Sequence, residues 1–333
     1  MSTSIIIDGK EISDKSPSYI IAEIGLNHNK SLELAKRMIK KAKESGADAV
    51  KFQTYITEKL INQNEKAFSI FKDLELTFDD FREISDYCRE TGITFFSTPF
   101  SLESVDWLEK LNVPCYKIAS MDINYFDLLK YAAQTGKPVI LSTGMSSMGA
   151  IEKAVDKILN AGNDKIVILH TISKYPPEYS DMDMQMIKRI KRVFDFPVGF
   201  SDHTPDNTMA IVARIFGASV FEKHFTLDRS LAGPDHSISS VPEDFADLKA
   251  KLENIDKSLM EHFRERGDEE IKTGARRSLY AAVNLKKGDV LTREMISVVR
   301  PAKGLGPEYI DLIIGRKLKH DLKKGDLIEL SCI

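Results

Sequence analysis

Hydrophobic and polar positions along the chain follow two alternating periods. From Tyr19 onward, short runs of β-branched and aromatic residues are followed by longer stretches with apolar residues at helical spacing. In the stretch SLELAKRMIKKAKESG, for example, Leu32, Ala35 and Met38 fall on one helical face. The pattern predicts strands over 19–25, 49–55, 94–100, 115–120, 138–144, 166–172, 197–204 and 219–226.

Glycines stand at the ends of several predicted helices, just before the next strand. A left-handed residue commonly ends a helix there, and the positions are Gly46, Gly92, Gly136, Gly162 and Gly217. Eight strand–helix units in about 250 residues predict a closed parallel (β/α)8 barrel of the TIM type. An open, doubly wound sheet is the competing architecture, but its Gly-rich dinucleotide-binding turn is missing after the first strand.

The chain changes character after the last predicted barrel helix, PEDFADLKAKLENIDKSLM. HFRERGDEEIKTGARRS is charged and poor in large apolar residues, which is typical of a linker, and short strand-like runs with two KKGD turns follow it. We predict a barrel domain over 1–262, a linker over 263–275 and a small β-rich domain over 276–333. The KKGD turns are either a weak internal repeat or two similar turns. So small a domain is marginally stable alone, and we expect it to pack on the barrel or on another subunit.

Composition narrows the class of protein. A chain of 333 residues that is 42% hydrophobic and 29% charged fits a globular protein with one large and one small domain. Its formal net charge of -3 argues against a general nucleic-acid or membrane-surface binder. Cys88, Cys115 and Cys332 are scattered, as reduced thiols are. With neither signal-peptide features nor an apolar run of roughly 20 residues, we expect a cytoplasmic protein.

Polar side chains gather at the predicted carboxyl ends of the strands, where barrel enzymes carry their active sites. Period-two alternation places Lys51 on the same face as Gln53, and Glu222 on the same face as His224. Such side chains are costly in an apolar layer unless paired, so the set indicates a site. The strand-end residues are Glu23, Asn27, His28, Lys51, Gln53, Thr98, Lys117, Ser120, Ser142, Thr143, Ser173, Tyr175, Asp202, His203, Glu222 and His224.

Two kinds of chemistry are indicated by these residues. Lys51 and Lys117, with nearby hydroxyls, predict an anion pocket, although a single strand-end lysine is more often a rim residue or a salt-bridge partner. His203 and His224 stand at the ends of neighbouring strands and can converge on one metal ion through neutral imidazoles. Their alternative is a role as hydrogen-bonded core histidines, and no HxxxH or HExxH spacing favours the metal.

Motifs along nearly the whole chain resemble one known family. The ordered set is IIAEIGLNHNKS, AVKFQTY, FFSTPF, YKIAS, KPVILSTGM, VGFSDHT, EKHFTLD and GPDHSIS. It resembles the sialic acid (N-acetylneuraminate) synthase family, which includes the legionaminic and pseudaminic acid synthases. RRSLYAAVNLKKGDVL and VVRPAKGLGP resemble the antifreeze-like SAF domain, a β-clip module that these enzymes carry.

The resemblance implies a transferase that condenses phosphoenolpyruvate with an open-chain N-acylhexosamine of the N-acetylmannosamine type. The products are a nine-carbon 2-keto sugar acid and phosphate, released by C–O cleavage. His203 and His224 would bind a divalent ion, typically Mn²⁺ with Mg²⁺ or Co²⁺ as alternatives, which polarises the sugar aldehyde. The catalytic set implied is Glu23, Lys51, Lys117, His203 and His224.

The resemblance also implies how the two substrates are held. Phosphoenolpyruvate would be bound by Lys51, Lys117, Thr98, Ser120 and Ser142. The sugar side would be lined by Glu23, Gln53, Ser173, Tyr175 and Asp235. Arg300 would reach the N-acyl group from the partner subunit of a domain-swapped homodimer.

Three departures from the family pattern lie on the sugar side. Many members read SGE where this chain has SMD at 120–122, and many read HCTxxYP where it has HTISKYP at 170–176. The loop over 57–73 is also shorter than in some members. These departures leave the N-acyl sugar open, although GPDH at 233–236 is closer to the sialic and legionaminic branch than to the pseudaminic one.

Two other classes of protein remain as alternatives. A Schiff-base aldolase would use Lys51 or Lys117 as its nucleophile and would need no metal. A non-catalytic carbohydrate-binding protein would retain the barrel only as a scaffold. Activity that survives a chelator would favour the first alternative, and release of phosphate from phosphoenolpyruvate would exclude the second.

Overall fold

The computed structural model of the protein describes residues 4–259 and 269–333. The chain divides into two compact units, Met1–Met260 and Glu261–Ile333. Part of the predicted linker, residues 263–268, lies outside the described residues. Among the described residues, no helix combines the length and the hydropathy that crossing a membrane requires.

A short antiparallel hairpin, which the sequence analysis did not predict, precedes the barrel. Strand β1 (Ile5–Ile7) pairs with β2 (Lys10–Ile12), and their buried isoleucines join the hydrophobic core of the barrel. The Thr94 hydroxyl donates a hydrogen bond of 2.7 Å to the Asp8 carboxylate in the turn. Because Thr94 begins a barrel strand, the hairpin lies at the N-terminal end of the barrel. Runs of three residues are too short to show a period, which is why the pattern missed them.

The predicted barrel is confirmed, and the open doubly wound sheet is excluded. Eight parallel strands close in chain order, with the last strand paired to the first. All but the first are shorter than their predicted runs, because residues at one or both ends of each run belong to loops. The strands are β3 (Tyr19–Gly25), β4 (Ala49–Thr54), β5 (Thr94–Pro99), β6 (Tyr116–Ile118), β7 (Val139–Ser142), β8 (Ile166–Thr171), β9 (Val198–Asp202) and β10 (Val220–His224).

Amphipathic helices surround the barrel. Most bury their apolar faces against the strands, so the main hydrophobic core is continuous from strands to helices. The two short helices over 57–60 and 67–74 instead pack in a separate small cluster around Tyr55 and Phe100. The helices are α1 (Leu32–Glu44), α2 (Thr57–Leu60), α3 (Ala67–Leu74), α4 (Phe78–Thr91), α5 (Leu102–Lys110), α6 (Phe126–Gln134), α7 (Met148–Asn160), α8 (Gln185–Phe194), α9 (Thr208–Ile215) and α10 (Pro242–Leu259). Short 3-10 turns lie at Ser120–Asp122, Tyr179–Asp181 and His236–Ile238.

Helix α4 shows why these segments begin and end where they do. Thr77 and Asp80 form a capping box, in which each side chain accepts a hydrogen bond from the backbone N–H of the other residue. At the other end Gly92 adopts a left-handed conformation, with a φ of 70°. The other glycines predicted to end helices also have positive φ.

The C-terminal unit contains less regular strand than predicted. Helix α11 (Glu269–Ala275) forms the described part of the predicted linker, and strand β11 (Ser278–Ala281) pairs with β12 (Ile296–Val299). Helix α12 (Ile310–Ile313) and 3-10 turns at Arg293–Met295, Pro307–Tyr309 and Leu330–Cys332 complete it.

HDLKKGDLIEL, one of the strand-like runs that carry a KKGD turn, forms no regular strand, so that part of the prediction was wrong. Its β-type pairings are isolated bridges of one residue pair each, such as that of Leu322 with Leu285. The two KKGD turns do have the same conformation. In each, the aspartate accepts a hydrogen bond from the N–H of the first lysine, and Gly288 and Gly325 have φ values of 91° and 90°.

Candidate active site

A cavity of about 330 Å³ opens at the carboxyl ends of the barrel strands. Eleven of the thirteen residues that the family resemblance assigns to the site line it, although they come from eight different strands or the loops that follow them. Of the remaining strand-end residues, Glu222 lines the cavity, whereas Asn27, His28, Thr143 and Asp202 do not. Barrel closure brings together residues as distant in sequence as Glu23 and His224, which are paired across β3 and β10. The eleven residues are Glu23, Lys51, Gln53, Thr98, Lys117, Ser120, Ser142, Ser173, Tyr175, His203 and His224.

The other two of the thirteen residues lie elsewhere. Asp235 is beside the cavity, where its Oδ2 is 3.7 Å from Nδ1 of His224. Arg300 belongs to the C-terminal unit, in which it follows strand β12 and is exposed to solvent.

Two buried lysines and two buried carboxylates form the floor of the cavity. Nζ of Lys51 lies 2.7 Å from Oε2 of Glu23 and 3.7 Å from Oε2 of Glu222. Nζ of Lys117 lies 3.7 Å from Oε1 of the same Glu222. Thr98 accepts a hydrogen bond of 3.1 Å from Lys51. Lys51 therefore has two carboxylates nearby and Lys117 only one, at a distance longer than a hydrogen bond.

The pKa values of these groups reflect the unequal pairing. Burial lowers the pKa of Lys117 to about 8, since the attraction of Glu222 is offset by the repulsion of Lys51. Burial also acts to lower the pKa of Lys51, but Glu222 and Glu23 outweigh it and raise that pKa. Burial acts to raise the pKa of Glu222, yet the two lysines hold it down at about 2. Glu222 is thus ionised at neutral pH and is the counter-ion of both lysines.

Several polar atoms that face the cavity are buried and have no hydrogen bond from any part of the chain that the structure describes. Apart from carboxylate oxygens that lie near Lys51, they are the hydroxyls of Ser142 and Thr171 and Nδ1 of His224. Buried polar groups are almost always hydrogen-bonded, and leaving one unpaired costs about 1–3 kcal/mol. Unpaired groups gathered around one cavity are what a site for a polar ligand requires.

The two histidines lie side by side at the rim. Their ring centroids are 5.6 Å apart, and the Tyr175 ring lies 4.1 Å from that of His203. Nδ1 of His203 is 2.8 Å from the carbonyl oxygen of Ile172, which assigns the proton to Nδ1 and leaves Nε2 without one. Burial and the neighbouring His224 lower the pKa of His203 to about 3. The ring is neutral at physiological pH, as a metal ligand must be.

The donor set fits a metal ion only in part. Over residues 4–259 and 269–333, no three His, Cys, Asp or Glu side chains gather closely enough to hold a metal by themselves. His203 offers its unprotonated Nε2, and His224 offers Nδ1, which has no hydrogen bond from the described residues. Because two ligands do not fill a coordination shell, water or substrate oxygens would have to complete it.

The family resemblance assigned no role to three polar residues of the cavity, namely Glu222, Thr171 and Ser201, although Glu222 was among the predicted strand-end residues. The hydroxyl of Ser201 donates a hydrogen bond of 3.1 Å to Glu222. Period-two alternation along β9 and β10 already indicated that Ser201 lies on the same face as His203, and Glu222 on the same face as His224. It did not indicate that Glu222 contacts two lysines more than 100 residues away in the chain.

One departure from the family pattern has an electrostatic consequence. Asp122, in the loop after β6, is partly buried, and its Oδ2 accepts no hydrogen bond from the described residues. Burial raises the pKa of this carboxyl to about 6, and Lys117 only partly opposes the shift. The carboxyl is therefore much more easily protonated than an ordinary aspartate.

The fold and the cavity together define a class: a (β/α)8 barrel with a polar cavity, lined by buried lysines and carboxylates, at the carboxyl ends of its strands. The chain belongs to the NeuB family, whose model matches residues 38–263, and an SAF domain matches residues 276–333. The family resemblance seen in the motifs is confirmed. Membership places the chain among enzymes of the sugar-acid synthase type.

Similar proteins match most of the length of this chain. An uncharacterized protein of Methanocaldococcus jannaschii is 43% identical over 97% of each chain. An N,N'-diacetyllegionaminic acid synthase of Legionella pneumophila is 37% identical over 92% of each chain. The crystal structure of an N-acetylneuraminic acid (sialic acid) synthetase from Leptospira borgpetersenii, in complex with citrate, matches with a TM-score of 0.77. It is 36% identical and covers 82% of this chain and 95% of that one.

Proposed function

We propose that this enzyme condenses phosphoenolpyruvate with an open-chain N-acylhexosamine to form a nine-carbon 2-keto sugar acid and phosphate. The observation that carries the proposal is the pair of buried lysines beside unpaired hydroxyls in one cavity. Ammonium groups and hydroxyls are suited to a ligand that bears both phosphate and carboxylate. The names of the relatives, which include a legionaminic and a sialic acid synthase, support a sugar acid as the product.

In this proposal the floor of the cavity holds phosphoenolpyruvate. Lys117 has the less compensated charge and contacts the phosphate or the carboxylate, while the hydroxyls of Ser142 and Thr171 gain the partners that they lack. C3 of phosphoenolpyruvate forms a bond to the aldehyde carbon of the sugar, and water adds at C2. The C2–O bond to phosphate then breaks. With a pKa of about 2, Glu222 is a poor proton acceptor, so its role is to keep both lysines charged.

The rim of the cavity holds the sugar. His203 and His224 would bind a divalent ion, Mn²⁺ or else Mg²⁺ or Co²⁺, and that ion would supply Lewis-acid polarisation of the aldehyde oxygen. Gln53 donates a hydrogen bond of 2.9 Å to Glu23, and this pair orients the sugar hydroxyls with Asp235. The Tyr175 ring lies close to that of His203 and edge-on to that of His224, 6.0 Å away, and it shields them from bulk water.

The C-terminal domain completes the site of a second subunit in this proposal. Family membership supports it, together with the exposed guanidinium-bearing residue Arg300 in the SAF domain. If Arg300 acts across a domain-swapped homodimer, mixing an Arg300→Ala chain with a His203→Ala chain should restore activity. One hybrid site then receives both intact groups. Full activity of a monomer would contradict this arrangement.

One observation favours a second function. The pKa of Lys117, lowered to about 8, is what a Schiff-base nucleophile needs, so a pyruvate aldolase remains the competing activity. The discriminating assay measures phosphate release from phosphoenolpyruvate over a panel of mannosamine derivatives, with and without Mn²⁺. Metal-dependent release supports the synthase. Borohydride trapping of a pyruvate adduct on Lys117, with no release of phosphate, would establish the aldolase instead.

A further inference from the structure

Strand β10 has one residue between its two cavity residues that faces the opposite way. Glu222 and His224 line the cavity, and Lys223 points out of it toward the loop that follows β9. Its Nζ lies 2.8 Å from Oδ2 of Asp202. Both side chains are almost completely buried, with exposed fractions of 4% and 3%. This is a second buried ion pair, separate from the charges of the cavity floor.

The ammonium group of Lys223 also ties down the backbone of that loop. It donates hydrogen bonds of 2.6 Å to the carbonyl oxygen of Thr204 and 2.9 Å to that of Asp206. With Asp202 these contacts use all three of its protons, so none is left for a ligand. Oδ1 of Asp202 in turn accepts hydrogen bonds of 2.8 and 2.7 Å from the backbone N–H and the hydroxyl of Thr204.

His203 lies inside the segment that these bonds hold. It stands between Asp202 and Thr204, and Lys223 directly precedes His224 in the chain. One ammonium group therefore links the strand that carries one imidazole to the turn that carries the other. Groups behind metal-binding side chains commonly set the orientation of those side chains in this way, and their loss typically costs 10–100-fold in metal affinity or activity.

We propose that Lys223 is a positioning residue that sets the separation of His203 and His224, through Asp202 and the two backbone carbonyls. The inference rests on the metal site of the proposed function. It assigns Lys223 no contact with metal or substrate. What it adds is that the affinity of the histidine pair depends on a buried cation behind it.

The experiment compares three changes to the full-length protein. Lys223→Met removes the ammonium group and leaves Asp202 unpaired. Lys223→Met combined with Asp202→Asn removes both charges, so that no buried charge is left unpaired but the ties to the backbone carbonyls are still absent. The matched control is Arg214→Met combined with Asp256→Asn, a buried ion pair that bonds the N-terminal segment and lies at the other end of the barrel.

Two quantities are measured for each protein. Electron paramagnetic resonance of free Mn²⁺ gives the dissociation constant, with His203→Ala defining the part of the binding that belongs to this site. Calorimetry gives Tm. We expect both Lys223 variants to bind Mn²⁺ about 10–100-fold more weakly than the unchanged protein. The double variant should recover most of the Tm lost by Lys223→Met. The control should lower Tm with less than about a twofold change in affinity, because distant sites act independently.

Each remaining outcome overturns one of the two proposals. If the Lys223→Met/Asp202→Asn protein binds Mn²⁺ as tightly as the unchanged protein, the positioning role is wrong and the pair serves stability alone. The same conclusion follows if the control weakens Mn²⁺ binding as much as the Lys223 variants do. If His203→Ala binds Mn²⁺ no more weakly than the unchanged protein, the metal site itself is wrong, and the positioning role falls with it.

Discussion

The two ends of the barrel bury charged groups in different ways. At the N-terminal end, the Arg214 guanidinium bonds Asp256 at 2.6 Å and the carbonyl oxygens of Ala218 and Ser16 at 3.0 and 3.3 Å. Asp256 also accepts hydrogen bonds from the backbone N–H and the hydroxyl of Ser18. Both of these charged groups have protein partners, and together they join the N-terminal segment to α9 and α10.

At the carboxyl end the charged groups on the floor of the cavity have incomplete partners. Lys117 and Glu222 are held 3.7 Å apart, and the Ser142 and Thr171 hydroxyls have no hydrogen bond from the described residues. Burying charge is costly at either end, and only good geometry repays the cost. The N-terminal end completes that geometry within the protein, whereas the carboxyl end leaves part of it to a ligand. We therefore expect the Arg214–Asp256 pair to serve stability and the charges of the cavity floor to serve ligand binding.

The largest effect is expected at the N-terminal end. Arg214→Met leaves the Asp256 carboxylate without its cation, and breaking a buried pair by removing one partner costs about 3–5 kcal/mol of unfolding free energy. Urea unfolding measures this loss. Activity per folded molecule should be unchanged, because Arg214 contacts no cavity residue. A large loss of activity in the folded fraction would contradict the division between the two ends.

Replacing a lysine of the cavity at the carboxyl end should lower the rate of turnover. Lys117→Met removes a charged contact to the anion, and losing one such donor typically lowers kcat by about 10²–10³-fold. Steady-state kinetics with phosphoenolpyruvate would measure it, and competitive inhibition by inorganic phosphate should weaken in parallel. Lys51→Ala should act in the same direction. Lys137→Ala, which removes a lysine whose partner is Glu109 outside the cavity, is the control.

A smaller effect concerns pH. Burial raises the pKa of Asp122 to about 6 in the folded protein. Between about pH 4 and pH 6 the folded protein therefore keeps a proton on this carboxyl, whereas the unfolded chain has released it. This group therefore makes the protein less stable as the pH rises through that window. After discounting for solvent screening, Asp122→Asn should remove about 1 kcal/mol of that dependence. Urea unfolding at pH 4 and pH 7 tests this. If the free energy of unfolding changes between the two pH values by the same amount in both proteins, the prediction is wrong.

The smallest effect is expected for an ion pair that water reaches. Lys10, in the N-terminal hairpin, bonds Asp48 at 2.5 Å, but its side chain is 49% exposed. Such pairs contribute about 0–1 kcal/mol, so Lys10→Ala should shift the unfolding free energy by no more than that. Thermal unfolding of Lys10→Ala, measured alongside Arg214→Met, compares the two losses of stability directly. A loss as large as that of Arg214→Met would show that burial is not what separates strong pairs from weak ones.

The sequence by itself determined the barrel and most of its site. Periodicity and helix-ending glycines are local signals, and they predicted all eight strands. Once the strands are known, alternation decides which residues face inward, and most of the predicted site residues do line one cavity. Local pattern was insufficient where a segment had no regular partner, as with HDLKKGDLIEL, or was too short, as with β1 and β2.

Only the tertiary structure decided which charges pair. Glu222 contacts Lys51 and Lys117, and Lys223 contacts Asp202, yet adjacent residues of one strand carry these opposite roles. Alternation predicts that the two face opposite ways, but not what each one meets. That depends on barrel closure, which places β10 between β9 and β3 and sets the distance between groups far apart in the chain. Charge pairing falls off over a few ångströms, so a pattern that gives direction without distance cannot predict it.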